Sequence, residues 1–353
     1  GNSSPIVWGD RVFVTQSIEK TNRRMLMCFD RKDGALLWSS GVTYAGEDTT
    51  HESNPHCSAS PVTDGECVIA WFGSGGVHCY DFAGKELWSR DLGKQEHVFG
   101  YGSSPIFQGN LCILNFGPGT RSFLVALDKK TGKTIWEVKE PGFTKQYDAP
   151  PGSFSTPLVV PHKGREELIH AWPGRLTALE PATGRELWFC SGLDQQTLAS
   201  PMAGDGVAVS MGGFRGSSIA VKLGGAGEVT ETQRLWVNKT TLIATGIIYD
   251  GHVYVVKNNG VAACLKLESG EKVWEERLIG ASKSGGAWAS MVLADGKIYV
   301  PNQTGETFVL RASPKFELIA NNFIGSEPCN ASLAVSQDEI FLRTHEALWC
   351  FGK

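Results

Sequence analysis

The feature that most constrains this chain is an internal repeat that recurs about eight times along its 353 residues. Each copy begins with Ser or Thr, usually followed by Pro, passes through strand-forming runs separated by glycine turns, and in most copies ends in Trp. Such a period predicts a repeat architecture before any other argument. The clear copies start at Ser4, Ser60, Ser104, Thr156 and Ser200, and the weaker ones at Thr245, Ser290 and Ser332.

The second copy shows why each repeat predicts four short strands. Strands are expected at Ala59–Val62, Cys67–Phe72, Val77–Asp81 and Lys85–Trp88, with Gly-containing turns between them. Short strands separated by turns of the Asp-Gly type indicate consecutive antiparallel hairpins. Eight copies in 353 residues give units of about 44 residues, which fit an all-β, eight-bladed β-propeller with four-stranded antiparallel blades.

We therefore expect one propeller domain over residues 1–353. Its predicted blades are 1–42, 57–92, 101–140, 153–192, 198–239, 243–279, 287–324 and 329–353. The last copy stops after three strands, so we expect this blade to lack its outer strand unless residues upstream of Gly1 supply one. Proline recurs at the start of the first strand, where its missing N–H is tolerated: Pro5, Pro61, Pro105, Pro157 and Pro201.

Composition excludes several classes of function. The formal net charge is -4 and the chain has no basic tract, so nucleic acid is not an expected partner. No apolar run approaches the roughly 18–20 residues of a membrane span. We expect a monomer, and the sequence itself does not indicate a compartment.

The nine cysteines are predicted to be structural thiols. Cys28, Cys79, Cys264 and Cys350 share one column of the repeat, which Ala126 and Ala178 fill in other copies. A column that accepts either Ala or Cys requires a small buried apolar group. No two cysteines have the C-x-x-C spacing of a metal or redox site.

Two segments carry a resemblance to a known family. Residues 126–136 read Ala-Leu-Asp-Lys-Lys-Thr-Gly-Lys-Thr-Ile-Trp, and residues 178–188 repeat the pattern as Ala-Leu-Glu-Pro-Ala-Thr-Gly-Arg-Glu-Leu-Trp. This pattern resembles the tryptophan-docking repeat of PQQ-like β-propellers. The resemblance implies that the Trp of each repeat docks between neighbouring blades and is structural: Trp38, Trp88, Trp136, Trp188, Trp236 and Trp274.

The PQQ-like family includes quinoprotein dehydrogenases, the propeller lipoprotein of the outer-membrane barrel-assembly machinery, and many exported bacterial proteins. The chain looks most similar to the last group, in particular to planctomycete-type members with loops like Thr50–Pro55. The resemblance alone favours a periplasmic or otherwise exported location.

Strand order predicts which loops share a face of the propeller. Turns such as Asp64-Gly65 and Thr131-Gly132 lie together on one face and are short. The loops between blades and the loops between second and third strands lie on the opposite face, here called the long-loop face. Long irregular loops on a rigid scaffold usually carry binding residues.

The long-loop face is predicted to bring together His, carboxylate, cation and aromatic side chains around the channel mouth. Such convergence is the default hypothesis for a ligand site. We assign no catalytic and no metal-binding residue to it. The predicted ligand-binding residues are His51, Glu52, Asn54, His56, His97, Tyr101, Arg121, Asp148, Arg215, Lys257 and Trp288.

The leading functional hypothesis is a non-catalytic propeller that binds a protein or carbohydrate partner through the long-loop face. One alternative is a carbohydrate-active enzyme at the same mouth, with His51, His56, His97 or Asp148 as acid or base. The second alternative is a PQQ-dependent dehydrogenase, which would need PQQ and Ca²⁺. In related alcohol dehydrogenases the cofactor lies against a disulfide of adjacent cysteines, and this chain has no adjacent cysteines. We therefore expect no cofactor.

Overall fold

The computed structural model describes residues 1–145, 148, 150–213, 216–239, 242–281 and 286–352. This part of the chain forms 34 β-strands, two short 3-10 turns and no α-helix. The strands build an eight-bladed β-propeller, in which most blades are four-stranded antiparallel sheets, so the predicted fold class is confirmed. None of the described residues belongs to a helix long and apolar enough to cross a membrane.

The chain divides into two compact units, Gly1–Glu140 with Ala334–Lys353, and Pro141–Leu333. The first three sheets belong to the first unit, and each follows sequence order from first to fourth strand. The 3-10 turns are Glu19–Thr21 and Gly73–Gly75. The strands are β1 (Ile6–Trp8), β2 (Arg11–Ile18), β3 (Arg23–Asp30), β4 (Leu36–Thr43), β5 (Val62–Thr63), β6 (Val68–Trp71), β7 (Val77–Tyr80), β8 (Glu86–Arg90), β9 (Ile106–Gln108), β10 (Leu111–Phe116), β11 (Phe123–Asp128) and β12 (Thr134–Lys139).

The second unit contains four blades and a separate two-stranded parallel pair. Its first blade has five strands, because β22 of the following repeat adds in parallel to the outer strand β17. The repeat pattern did not predict this addition. The strands are β13 (Gly152–Ser153), β14 (Leu158–His162), β15 (Arg165–Trp172), β16 (Arg175–Leu179), β17 (Glu186–Ser191), β18 (Gln196–Thr197), β19 (Met202–Gly204), β20 (Val207–Ser210), β21 (Ser217–Lys222), β22 (Gly227–Glu228), β23 (Arg234–Lys239), β24 (Ile247–Tyr249), β25 (His252–Val256), β26 (Val261–Lys266), β27 (Lys272–Arg277), β28 (Val292–Ala294), β29 (Lys297–Pro301), β30 (Glu306–Arg311) and β31 (Leu318–Phe323).

The last sheet returns to the first unit and has three strands in the described chain, as the sequence predicted. They are β32 (Ala334–Ser336), β33 (Glu339–Arg343) and β34 (Leu348–Phe351). The first strands begin one residue later than expected: β1 starts after Pro5 and β9 after Pro105, so proline precedes the first strand instead of opening it.

Turn chemistry explains the tight hairpins. At Asp250-Gly251, between β24 and β25, both central residues have positive φ, 48° and 67°. This is the backbone of a type I′ turn, which matches the twist of the flanking strands and favours an Asp-Gly pair. The Asp-Gly dipeptides of the sequence therefore locate the hairpins correctly.

The hydrophobic core lies between the faces of neighbouring sheets. All four residues of β6 are buried, since both faces of that strand are covered. In the first unit, Ile69 and Trp71 pack in one cluster with Leu114 and Val125 of the following sheet, all fully buried. Face-to-face packing of successive sheets thus supplies the apolar burial that single four-stranded sheets cannot achieve alone.

The Ser/Thr that opens each repeat links successive first strands. The N–H of Ser4 donates to Ser60 Oγ, and the N–H of Ser60 donates to Ser104 Oγ, each at 2.9 Å. In the second unit the N–H of Ser200 donates to Thr245 Oγ1 at 3.0 Å. The recurring hydroxyl therefore satisfies a backbone donor that sheet pairing leaves open, a role that sequence analysis did not assign.

Four of the repeated tryptophans contact the turn of the following sheet. Trp188 differs, because its indole N–H donates to Glu167 Oε2 of its own sheet at 2.8 Å. That these residues dock the blades together stays a prediction. Four of them form a hydrogen bond to the following sheet. These four donate from Nε1 to a backbone carbonyl: Trp38 to Phe82 (2.9 Å), Trp88 to Lys129 (2.8 Å), Trp236 to Leu267 (2.8 Å) and Trp274 to Ser313 (3.2 Å).

Eight of the nine cysteines are buried free thiols. Cys28, Cys79 and Cys264 of the shared column are fully buried, which confirms their predicted packing role. Cys350 of the same column is exposed, so the prediction of burial is wrong there. The physical reason is that β34 has no fourth strand beside it among the described residues.

Candidate functional site

A polar cleft of about 420 Å³ opens in the first unit, and we call it the Arg24 cleft. Its walls are the loop between β2 and β3 and the loop that follows β4. These are a second-to-third strand loop and an inter-blade loop, the two kinds that the sequence places on the long-loop face. The lining residues are Ser17, Ile18, Glu19, Asn22, Arg23, Arg24, Tyr44, Gly46, Glu47, Asp48, Thr49 and His56.

A buried ion pair holds the two walls of the cleft together. Arg24 Nη2 lies 2.6 Å from Asp48 Oδ2, and the two side chains are only 5% and 4% exposed. Arg24 also donates to the carbonyl of Phe72, and its guanidinium lies 4.6 Å from the ring centroid of Tyr44. Ser74 donates its hydroxyl to the other carboxylate oxygen of Asp48. Every charge of the pair is thus compensated by polar contacts, as buried charges require.

Arg24 was missed by sequence analysis, although the repeat contains a signal for it. Four residues before the Cys/Ala column, copies two to six carry the small residues Gly75, Ser122, Gly174, Gly216 and Gly260, whereas the first copy carries Arg24 and the last carries Glu346. A long cation in a column of small residues marks a position where the repeat has been changed. That comparison would have located the cleft.

His56 is the predicted site residue that lies in the cleft. Its Nδ1 is buried and has no hydrogen-bond partner among the described residues. Burial is the main cause that lowers the pKa of His56, and the neighbouring Arg24 lowers it further. The imidazole is therefore neutral at pH 7, and its Nδ1 is a buried, unsatisfied nitrogen in the wall of the cleft.

The other predicted residues of this loop hold it in place. Asn54 Nδ2 donates to the carbonyls of Phe99 and Tyr101, at 2.7 and 3.0 Å. His51 Nδ1 lies 2.7 Å from Ser53 Oγ, and the His51 ring packs edge-on against Phe99. Glu52 is exposed at the tip of the same loop.

His97 and Tyr101 lie behind this loop, not in open solvent. His97 is 7% exposed, and burial lowers its pKa to about 4. Tyr101 is 4% exposed; its hydroxyl accepts the N–H of Cys57 at 3.3 Å, and burial raises the pKa of the phenol. The structure thus brings His51, Asn54, His97 and Tyr101 into one contiguous cluster that backs the loop.

The remaining predicted residues are not part of that cluster. Arg121 lies on the loop between β10 and β11 and donates to the carbonyl of Leu92 at 3.1 Å. In the second unit, Lys257 pairs with Glu275 at 2.5 Å, Trp288 is half-buried and Asp148 is exposed. Arg215 lies outside the described residues. That all these residues line one ligand site stays a prediction.

The described residues contain no group of three or more His, Cys, Asp or Glu side chains arranged to hold a metal ion. A PQQ site of the dehydrogenase type needs Ca²⁺ with oxygen ligands. That the chain binds no cofactor stays a prediction.

The fold and the cleft define a β-propeller scaffold with a pre-formed polar recess on its long-loop face. The family model of the outer membrane protein assembly factor BamB matches residues 22–276, and the chain belongs to this family. A BamB from Moranella endobia (strain PCIT) is 26% identical over 253 residues, which cover 65% of this chain and 58% of that protein. The chain thus spans less than two thirds of this relative's length.

Solved structures with the same fold include the BamB of Moraxella catarrhalis. It has a TM-score of 0.65 and 14% identity, covering 95% of this chain and 94% of that one. A europium-containing methanol dehydrogenase has a TM-score of 0.71 and 11% identity, covering 97% and 82%. At such identities these likenesses show the fold alone, and function has to be argued from the site.

Proposed function

We propose that this chain is a non-catalytic scaffold that binds a protein partner during outer membrane protein assembly, through the Arg24 cleft and its rim. The observation that carries the proposal is the Arg24–Asp48 ion pair, which ties the loop after β4 to the sheet. A loop fixed in this way loses little conformational entropy when a partner binds, so the contacts it makes become net affinity.

The rim of the cleft suits a protein partner of mixed polarity. Arg23, Glu19 and Glu47 are exposed at its edge, and Tyr44 is half-buried within it. Arg and Tyr are enriched in protein interfaces, and opposite charges around a recess set the orientation of a partner. The relative from Moranella endobia is described as an outer membrane protein assembly factor, and membership of that family supports a protein partner over a carbohydrate.

Charge reversal at the rim tests the proposal. A photo-crosslinking side chain at Glu47 should crosslink an outer membrane assembly protein in cells, and Arg23→Glu should reduce that crosslink several-fold. The matched control places the crosslinker at Arg185, which is exposed on a short turn of the second unit. Equal crosslinking from Arg185, or no effect of Arg23→Glu, would show that the cleft is not the binding surface.

A further inference from the structure

Arg121 forms a second polar feature of the long-loop face, because its guanidinium rests on a pair of aromatic rings. Phe116 and Phe123 stack on each other, with ring centroids 4.8 Å apart and 16° between the ring planes. Arg121 Cζ lies 5.8 and 5.7 Å from these two centroids, within the range of a cation–π contact. Both phenylalanines are buried, so the rings give the exposed arginine a fixed support.

The neighbouring backbone restricts Arg121 further. Its Nη1 donates to the carbonyl of Leu92 at 3.1 Å. A Cβ at Gly93 would collide with the same nitrogen, and Gly93 has a φ of 93°, which glycine adopts without strain. The guanidinium is thus ordered in the free protein, and it loses less conformational entropy on binding than an unsupported surface arginine would.

One edge of the Arg121 guanidinium is available to a ligand. Nε and Nη2 form no hydrogen bond with a described residue, and Arg121 forms no ion pair with any of them. The carboxylates of the adjacent loop have other partners, since Asp91 accepts the N–H of Gly93 at 2.7 Å and Glu96 lies 2.9 Å from Lys94 Nζ. The Nε–Nη2 edge offers two parallel N–H donors, which match the two oxygens of a carboxylate.

The loop that carries Arg121 is tied to the Arg24 cleft through one buried side chain. The N–H of Gln95 donates to Ser74 Oγ at 2.8 Å, and the side-chain amide of Gln95 donates to the carbonyl of Pro118. Ser74 in turn donates to Asp48 in the wall of the cleft. Because both features lie on the long-loop face and share this network, one protein partner can contact both.

We propose that Arg121 is a second contact point for the protein partner and that its Nε–Nη2 edge binds the carboxylate of an Asp or Glu side chain. The inference rests on the proposed function, since it specifies the chemistry that the same partner presents beside the Arg24 cleft. Arginine is enriched among the residues that contribute most to protein interfaces. A planar guanidinium that both stacks and pairs bidentately is not replaced by lysine without loss.

The surroundings of Arg121 favour a carboxylate over a phosphate group. A phosphate group carries about −1.5 to −2 charges at pH 7 and is best bound by a cluster of cations. The other cation of the adjacent loop, Lys94, lies beside Glu96. One guanidinium without an ion pair in the described chain balances the single charge of an Asp or Glu side chain.

The NMR signal of the Arg121 Nε–H group measures occupancy of this edge, and its loss in Arg121→Lys assigns it. The probes are the peptide acetyl-Gly-Glu-Gly-amide, its Gln analogue and inorganic phosphate, all at one ionic strength. We expect the Glu peptide to shift the signal in a saturable way, and the Gln peptide and phosphate to shift it at least about fivefold less. Equal shifts by the Gln peptide or by phosphate would overturn the proposal.

Arg277 is the matched control in the same spectra. It is exposed and donates Nη1 to the carbonyl of Asn259 at 2.9 Å, but it has no ring contact in the described part of the chain. Its Nε–H signal should respond to the Glu peptide at least about fivefold less than that of Arg121, because no aromatic support orders it. Equal responses of the two arginines would show that Arg121 is an ordinary surface cation.

Crosslinking in cells separates this inference from the proposed function. With the crosslinker at Glu47, Arg121→Ala should reduce the crosslink to the assembly protein at least about tenfold. Arg121→Lys should not restore it, and Arg277→Ala should leave it unchanged. A crosslink that persists in Arg121→Ala would overturn the inference and leave the proposed function standing. No crosslink in the unaltered chain would overturn both.

A second crosslinker position identifies the acidic group. Thr120 is exposed next to Arg121, and a crosslinker there should capture a partner segment that contains Asp or Glu, as mapped by mass spectrometry. Changing that acidic residue to its amide should weaken the Glu47 crosslink as much as Arg121→Ala does, and the two changes together should add little. A segment without an acidic residue, or fully additive effects, would contradict the assignment.

Discussion

Removing the Asp48 carboxylate should destabilise the first unit strongly. In Asp48→Ala the guanidinium of Arg24 keeps its acceptor at Phe72 and its contact with Tyr44 but loses its counter-ion. Ser74 loses the acceptor of its hydroxyl as well. The substitution thus leaves a buried positive charge without its counter-ion, which is the costly way to break an ion pair.

The size of the stability loss follows from the burial of the ion pair. A second ion pair in the chain has the same separation but is exposed, and it provides the comparison. Arg311 Nε lies 2.6 Å from Glu317 Oε2, as Arg24 Nη2 does from Asp48, yet these side chains are 51% and 48% exposed instead of 5% and 4%. Loss of one partner of a buried pair costs about 3–5 kcal/mol. An exposed pair contributes about 0–1 kcal/mol. Asp48→Ala should therefore lower the free energy of unfolding several times more than Glu317→Ala.

Urea unfolding of the two variants and of Arg24→Met/Asp48→Ala measures these differences. The double variant removes both charges and leaves an unbranched apolar side chain, so it should recover most of the stability lost in Asp48→Ala. The reasoning is refuted if Asp48→Ala costs no more than Glu317→Ala, or if the double variant is as unstable as the single one. Either result would mean that water solvates the guanidinium and that the cleft is not pre-formed.

Three further predictions concern the repeat. Trp88→Ala should lower the free energy of unfolding, measured in urea, by about 3–5 kcal/mol. Trp8→Ala should lower it by less than about 2 kcal/mol, because the Trp8 side chain is 47% exposed. Gly84→Ala should destabilise more than Gly9→Ala in thermal melts: both have positive φ, but only at Gly84 does the added Cβ meet an indole, at 2.6 Å. Burial lowers the pKa of His170 from 6.5 to about 3, so the free energy of unfolding should fall as the pH drops from about 6.5 towards about 3. His170→Gln should reduce this dependence of the unfolding free energy on pH.

The fold could be predicted from the sequence because the same strand and turn signals recur in each repeat. Asp250-Gly251 forms the turn its residue types require, and the apolar run at Val68–Trp71 is a strand buried on both faces. The parallel addition of β22 could not be predicted, since it depends on where a long turn of one repeat meets the outer strand of the previous one. Pairing between distant segments leaves little signal in local sequence patterns.

Of the predicted site residues only His56 lines the cleft, and the central residue Arg24 was not predicted. Loop composition pointed to His51, Asn54 and His56, and the structure assigns the first two to holding the loop and the third to the cleft. Polar residue type alone does not distinguish a side chain that faces a ligand from one that supports a loop, because both roles need hydrogen-bonding groups. Arg24 was overlooked because it lies in a strand.

Departures from the repeat locate special positions in this protein better than residue type does. Arg24 stands in a column that is Gly or Ser in copies two to six, and it forms the buried centre of the cleft. Cys350 stands in a column that is otherwise buried, and it is exposed because no fourth strand lies beside β34 among the described residues. Gly34 has the same turn as Gly84 but lacks the indole above it. Because the repeats impose one environment on each column, a residue or an exposure that breaks the column requires a local cause, such as the buried Asp48 carboxylate beside Arg24.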